Sequence, residues 1–98
     1  MRDMFAMRRA NGDWFALDDA GRLRVPLFHS IAHAMVARSR DSGMECFRSV
    51  LLDQVAIDEL RTTDGGSACF WLIDNPELRL SRGRALDVPQ FIQLVFDQ

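Results

Sequence analysis

Residues 68–73 read Ala68-Cys69-Phe70-Trp71-Leu72-Ile73, the longest unbroken apolar run in the chain. A strand with one wet face alternates apolar and polar residues. A run that is apolar on both faces marks a central strand covered on both sides, or one set at a crowded seam. Six residues are far too few to span a bilayer. Downstream, Asp74-Asn75-Pro76-Glu77 is a compact turn, and residues 78–81 read as a short strand with Leu78 and Leu80 inward and Arg79 outward. Asp87 then caps a last helix with Pro89 in its first turn. There Val88, Phe91, Ile92 and Val95 recur at i, i+3, i+4 and i+7, the period of an amphipathic helix.

Upstream of the run, residues 62–67 form a loop with Asp64-Gly65-Gly66 at its tip, and Asp53 caps a short helix carrying Val55, Ala56, Ile57 and Leu60. Residues 46–52 read as a strand that grows more apolar toward Val50, Leu51 and Leu52. Ser30 is an N-cap for a helix running to about Arg40, with Ile31, Ala34, Met35 and Arg38 on the helical period and Gly43 past its end. The first third is a meander: a strand at residues 4–8, the Asn11-Gly12 turn, a strand at 14–17, a polar turn at 18–21 and a strand at 22–28. In the third strand Leu23, Val25 and Leu27 share one face, and Arg22, Arg24 and Pro26 the other, which is expected to be wet. Pro26 has no N–H, so this strand lies at an edge or loses its pairing there.

The order is therefore βββαβαββα. It predicts one α+β domain over residues 1–98, a mixed, mostly antiparallel sheet with helices packed on one face. With 48% hydrophobic and 27% charged residues, the chain has an ordinary globular composition. Two cysteines are too few for a secreted disulfide scaffold, and nothing near the start has the apolar core of a signal peptide. The expected compartment is the cytoplasm, with no membrane partner. The net charge of −2 gives no global attraction to nucleic acid. All twelve basic residues are arginine, which a coding bias toward GC-rich codons explains more simply than a selected taste for bidentate contacts.

Candidate sites each have two readings. His29 and His33 stand at i and i+4, so both imidazoles could meet one metal ion, but a third ligand is missing and Ser30 occupies the place of a catalytic Glu. The plainer reading is two surface or half-buried histidines. Cys46, paired with one of those histidines, is the nucleophile of an enzyme reading; Cys46 and Cys69 both fall in predicted strands, where cysteine acts as a small hydrophobe. Asp13, Asp18 and Asp19 read as turn residues. Arg79, Arg82 and Arg84 surround Gly83, and Arg8, Arg9, Arg22 and Arg24 could share the wet face of the meander; together they allow an anion- or nucleic-acid-binding patch. No aromatic residues interleave with them as stacking platforms, so nucleic acid is the less favoured partner. Trp14-Phe15 and Phe70-Trp71 are adjacent aromatics that must point to opposite faces. Either the second face is a partner surface, formed by Trp14, Phe15 and Trp71 with Arg79, Arg82 and Arg84, or the chain's own elements cover it.

The early strand pair, the step Val25-Pro26-Leu27-Phe28-His29-Ser30, the strand-helix unit at residues 50–60 and the strand ending Phe70-Trp71-Leu72-Ile73-Asp74-Asn75-Pro76 occur in one order. In that order residues 14–95 resemble the SseB N-terminal-domain family. The likeness departs at the aromatic Phe70-Trp71 and at Glu77, where that family has a glycine after the proline. The resemblance implies a protein-interaction module and transfers no active site or cofactor. The expectation is a non-enzymatic interaction or regulatory module that pairs with a protein partner or with itself as a homodimer.

Overall fold

The computed structural model describes residues 2–96, the side chain of Asp64 excepted. Among the described residues six strands are present: β1 (Phe5–Arg9), β2 (Leu17–Asp19), β3 (Arg22–Phe28), β4 (Phe47–Leu51), β5 (Cys69–Ile73) and β6 (Arg84–Leu86). Three α-helices join them, α1 (Ile31–Arg40), α2 (Gln54–Thr62) and α3 (Val88–Phe96). The sheet runs β4-β1-β3-β5-β6, with β2 added beside β3; β3 and β5 are parallel and every other pair is antiparallel. This is the mixed, mostly antiparallel α+β arrangement expected from the order of elements.

The meander has a switch in it. After the turn at Gly12 (φ 96°) the chain runs back along β1, where the Phe15 N–H donates to the Met7 carbonyl at 2.8 Å. It then peels away, and β2 pairs with the first half of β3, from Asp19 opposite Arg22 to Leu17 opposite Arg24. At the other end of β3, Phe28 pairs with Phe5 of β1. The second strand is thus Leu17–Asp19 rather than residues 14–17, because Trp14 only bridges Arg8. Pro26 falls in the gap between the two partners of β3, where a missing N–H costs no ladder bond. Of the two expectations for Pro26, lost pairing holds only on the β1 and β2 side, and an edge position does not hold, since on the other side Pro26 pairs with Trp71 of β5.

The helices divide between both faces, which corrects the one-face expectation. One cluster gathers Ala6, Val25, Leu27, Phe70, Leu72 and Leu86 under Ala56, Ile57 and Leu60 of α2 and Phe91 and Val95 of α3. The other gathers Met7, Phe28, Trp71 and Ile73 under Ala34 and Ala37 of α1, with Met44, Phe47 and Leu80. The cause lies in β5: all five of its residues are buried, and successive side chains point to opposite sides, so both faces need a cover. The face of β3 expected to be wet is covered accordingly. Pro26 is buried, and the Arg24 guanidinium lies 5.8 Å from the centre of the Trp71 ring while its Nε bonds Asp19 at 2.8 Å.

Local signals set the helix starts. Ser30 Oγ accepts the His33 N–H, Asp53 accepts the Ala56 N–H, and Asp87 and Gln90 bond each other's backbone N–H in a reciprocal cap. The stripe on α1 is rotated from the expected one: Ala34 and Ala37 are buried, while Ile31 and Met35 face outward. Small residues let the helix backbone approach the sheet closely, and the larger ones are displaced to the flanks. Val55 of α2 is likewise exposed. Residues 78–81 are not a strand: Leu80–Arg82 form a 3-10 turn, Leu78 is exposed, and the pairing strand is β6. Gly83 sits between them because a Cβ there would lie 2.7 Å from Ile73 Cδ1 and 3.1 Å from the Leu72 and Leu80 carbonyl oxygens.

Candidate functional site

The residues proposed for chemistry do not converge. His29 Nε2 lies 2.8 Å from Asp74 Oδ1, tying the start of α1 to the end of β5. The His33 ring is 6.3 Å from that of His29, centre to centre, and its buried Nδ1 has no partner among the described residues. Among the described residues no group of three His, Cys, Asp or Glu could hold a metal ion. Cys46 is exposed and precedes β4 rather than lying within it. It stands at the Phe47 end of that strand, whereas His29 follows Phe28, which is level through Phe5 with Leu51 at the far end. The length of β4, about 13 Å at ~3.3 Å per residue, separates these two levels. Cys69 is buried; its thiol donates to the Ser67 carbonyl and accepts from the Arg22 guanidinium.

The arginines expected to share one wet face are dispersed and occupied. Arg8 lies 4.5 Å from the centre of the Trp14 ring and pairs with Glu59 of α2 at 2.6 Å. Arg9 lies over Phe47 on the opposite face, and Arg24 is held by Asp19 and Trp71. Arg79, Arg82 and Arg84 are exposed and form no ion pair among the described residues. Beside Arg79 a shallow groove of about 420 Å³ runs between the end of α1 and residues 76–81, and Arg40, Asp41 and Glu77 give it charges of both signs.

The aromatic candidates are core. Phe15 and Trp71 are buried under α1 and its following turn, Phe15 edge-on to Phe47 with ring centres 5.1 Å apart. Trp14 is half-buried against the other cluster. Of the aromatic surface expected from sequence, only part of Trp14 reaches solvent, because the chain's own helices take both faces.

Exposed apolar side chains occur at several places, Val36, Val55, Leu78 and Phe96 among them, and one group lies along the β4 side. Ile31, Met35 and Leu51 are 55%, 48% and 48% exposed. Ile31, Met35 and Arg38 form one flank of α1, and the Arg38 guanidinium donates to the carbonyls of Met44 and Glu45, just before β4. That bond turns the flank toward β4, over which α1 also packs. Leu51 lies opposite Phe5, whose side chain joins the α1-side cluster, so Leu51 is on the same face as α1.

β4 is also an open edge of the sheet. The Leu52 N–H donates to the Met4 carbonyl at 2.9 Å, so in this antiparallel register Val50 and Arg48 also turn their backbone groups toward β1. The N–H and C=O groups of Phe47, Ser49 and Leu51 then point away from the sheet, a row of donors and acceptors with no backbone partner among the described residues. Sequence reasoning missed this surface. The periodicity of α1 grouped Ile31 and Met35 with Ala34 without separating the buried side from the exposed flank, and the edge position of β4 has no local signature. No family model matches the chain, nor does any curated protein or solved structure.

Proposed function

We propose that this chain is a protein-interaction module, without catalysis of its own, that self-associates through the β4 edge and the adjoining flank of α1. The observation that carries the reading is the coincidence of three exposed apolar side chains, Ile31, Met35 and Leu51, with an unpaired strand edge. Each alone is ordinary on a protein surface; together they supply apolar area and backbone hydrogen bonds at one place. The resemblance to the SseB N-terminal-domain family points the same way. Two free thiols, one of them exposed, suit a reducing compartment such as the cytoplasm. No helix among the described residues is long and apolar enough to cross a membrane.

Light scattering behind a sizing column tests the reading. The mass of the wild-type chain should rise from 11.2 kDa toward twice that value between low and high micromolar concentration. The double variant Ile31→Asp, Leu51→Asp should stay monomeric with a similar melting temperature, because both side chains are half-exposed. A wild-type mass that stays monomeric throughout would remove the reading.

A further inference from the structure

We infer that the partner on this edge is a second copy of the chain, its β4 paired antiparallel to the first across a two-fold axis at Ser49. The inference rests on the self-association proposed above and specifies its geometry. A symmetric dimer needs a patch that complements itself, and β4 reads Phe47-Arg48-Ser49-Val50-Leu51. With Ser49 facing its counterpart, Phe47 faces the second copy's Leu51, and both lie on the α1 side of the sheet. Arg48, the one charged residue of the strand, faces Val50 and not the other Arg48. Ser49, Phe47 and Leu51 are the residues whose backbone groups point outward, so each facing pair can exchange two hydrogen bonds.

The helices fit this arrangement. Strands ~4.8 Å apart place the two β1 strands about 14 Å from each other across the paired β4 strands. Helices packed over them exceed the ~8–10 Å spacing of touching helices by about one layer of side chains. Ile31 and Met35 from each copy, with Leu51 beneath, occupy that gap. The rotation of α1 that exposes these residues in one copy is what lets them meet in two.

Disulfide trapping and a proline variant test the pairing in the full chain. A facing, hydrogen-bonded pair has Cα atoms about 5.5 Å apart, within disulfide range. In a Cys46→Ser background, Ser49→Cys should give a reducible covalent dimer within minutes of mild oxidation. The wild-type Cys46, which faces Leu52 of the second copy in this register, should not. Ser49→Pro removes an outward N–H and none from the β1 ladder, so it should weaken the dimer at least tenfold, and trapping decides if that variant misfolds. A dimer that resists Ser49→Pro and is not trapped at Ser49→Cys would overturn this pairing while leaving self-association intact. Rapid trapping through Cys46 would overturn the register. A monomer at every concentration, with no trapping, would overturn both.

Discussion

Replacing Phe91 by alanine removes a ring from the cluster that joins α3 to the sheet. Phe91 is 0% exposed, and its ring stacks on Phe70 of β5 with centres 4.2 Å apart and planes at 27°. Phe70 is itself fully buried on the same face as Val25, Leu27 and Leu72, so the space left by the ring is walled by sheet residues that cannot collapse into it. A truncation of this kind costs about 3–5 kcal/mol. A domain of this size has only about 5–15 kcal/mol in total. At ~4–8 °C per kcal/mol, the melting temperature should fall by more than about 12 °C. Urea titration followed by tryptophan fluorescence is the assay, since Trp14 and Trp71 report on the two faces separately. Phe96→Ala, in the same helix at 42% exposed, is the internal control and should change stability by no more than about 0.5 kcal/mol. A loss below about 1 kcal/mol at Phe91 with an unchanged urea slope would refute the assignment of α3 to the core.

Two backbone positions give sharper local tests. Ala20 sits at φ 53° and Gly21 at 87° in the two-residue turn between β2 and β3, a geometry that favours Asn-Gly; Ala20→Asn should therefore stabilise the chain by about 0.5–1 kcal/mol in chemical denaturation, and any loss would contradict the turn. Gly83→Ala places a methyl against Ile73 and the carbonyls of Leu72 and Leu80, and because the Leu72 carbonyl belongs to the paired strand β5 and cannot yield, it should cost about 1–3 kcal/mol in the same assay; a neutral outcome would mean that the corner before β6 has more room than its geometry shows.

Much of this fold was legible in short stretches of chain. The caps at Ser30, Asp53 and Asp87, the Asn11-Gly12 turn and the span of β3 follow from side chains that bond the nearest backbone or tolerate positive φ, and such effects act within a few residues. The apolar run ending at Ile73 announced a strand covered on both sides for an equally local reason, since neighbouring side chains in a strand must part. The element order also came out right, although β6 was placed too early: Leu78 and Leu80 have a strand's alternation, and only the tight fit of Gly83 against Ile73 decides where pairing begins.

The candidate site lay beyond that local reading. Ile31 and Met35 carry the helical period of a core stripe, yet the buried side of α1 is the one with Ala34 and Ala37, chosen by how closely the helix can approach Phe28, Trp71 and Ile73. Whether Phe15 and Trp71 faced water depended on α1 folding back across them. Whether β4 was an edge depended on β1 pairing with it on one side and no described residue pairing on the other. The sequence by itself determined the order of strands and helices, where most of them begin, and that one strand must be covered on both faces, because those outcomes depend on neighbours along the chain. Only the tertiary structure decided which helix covers which face and which strands, β4 and β6, stand at the ends of the sheet, because those depend on contacts between residues far apart in sequence.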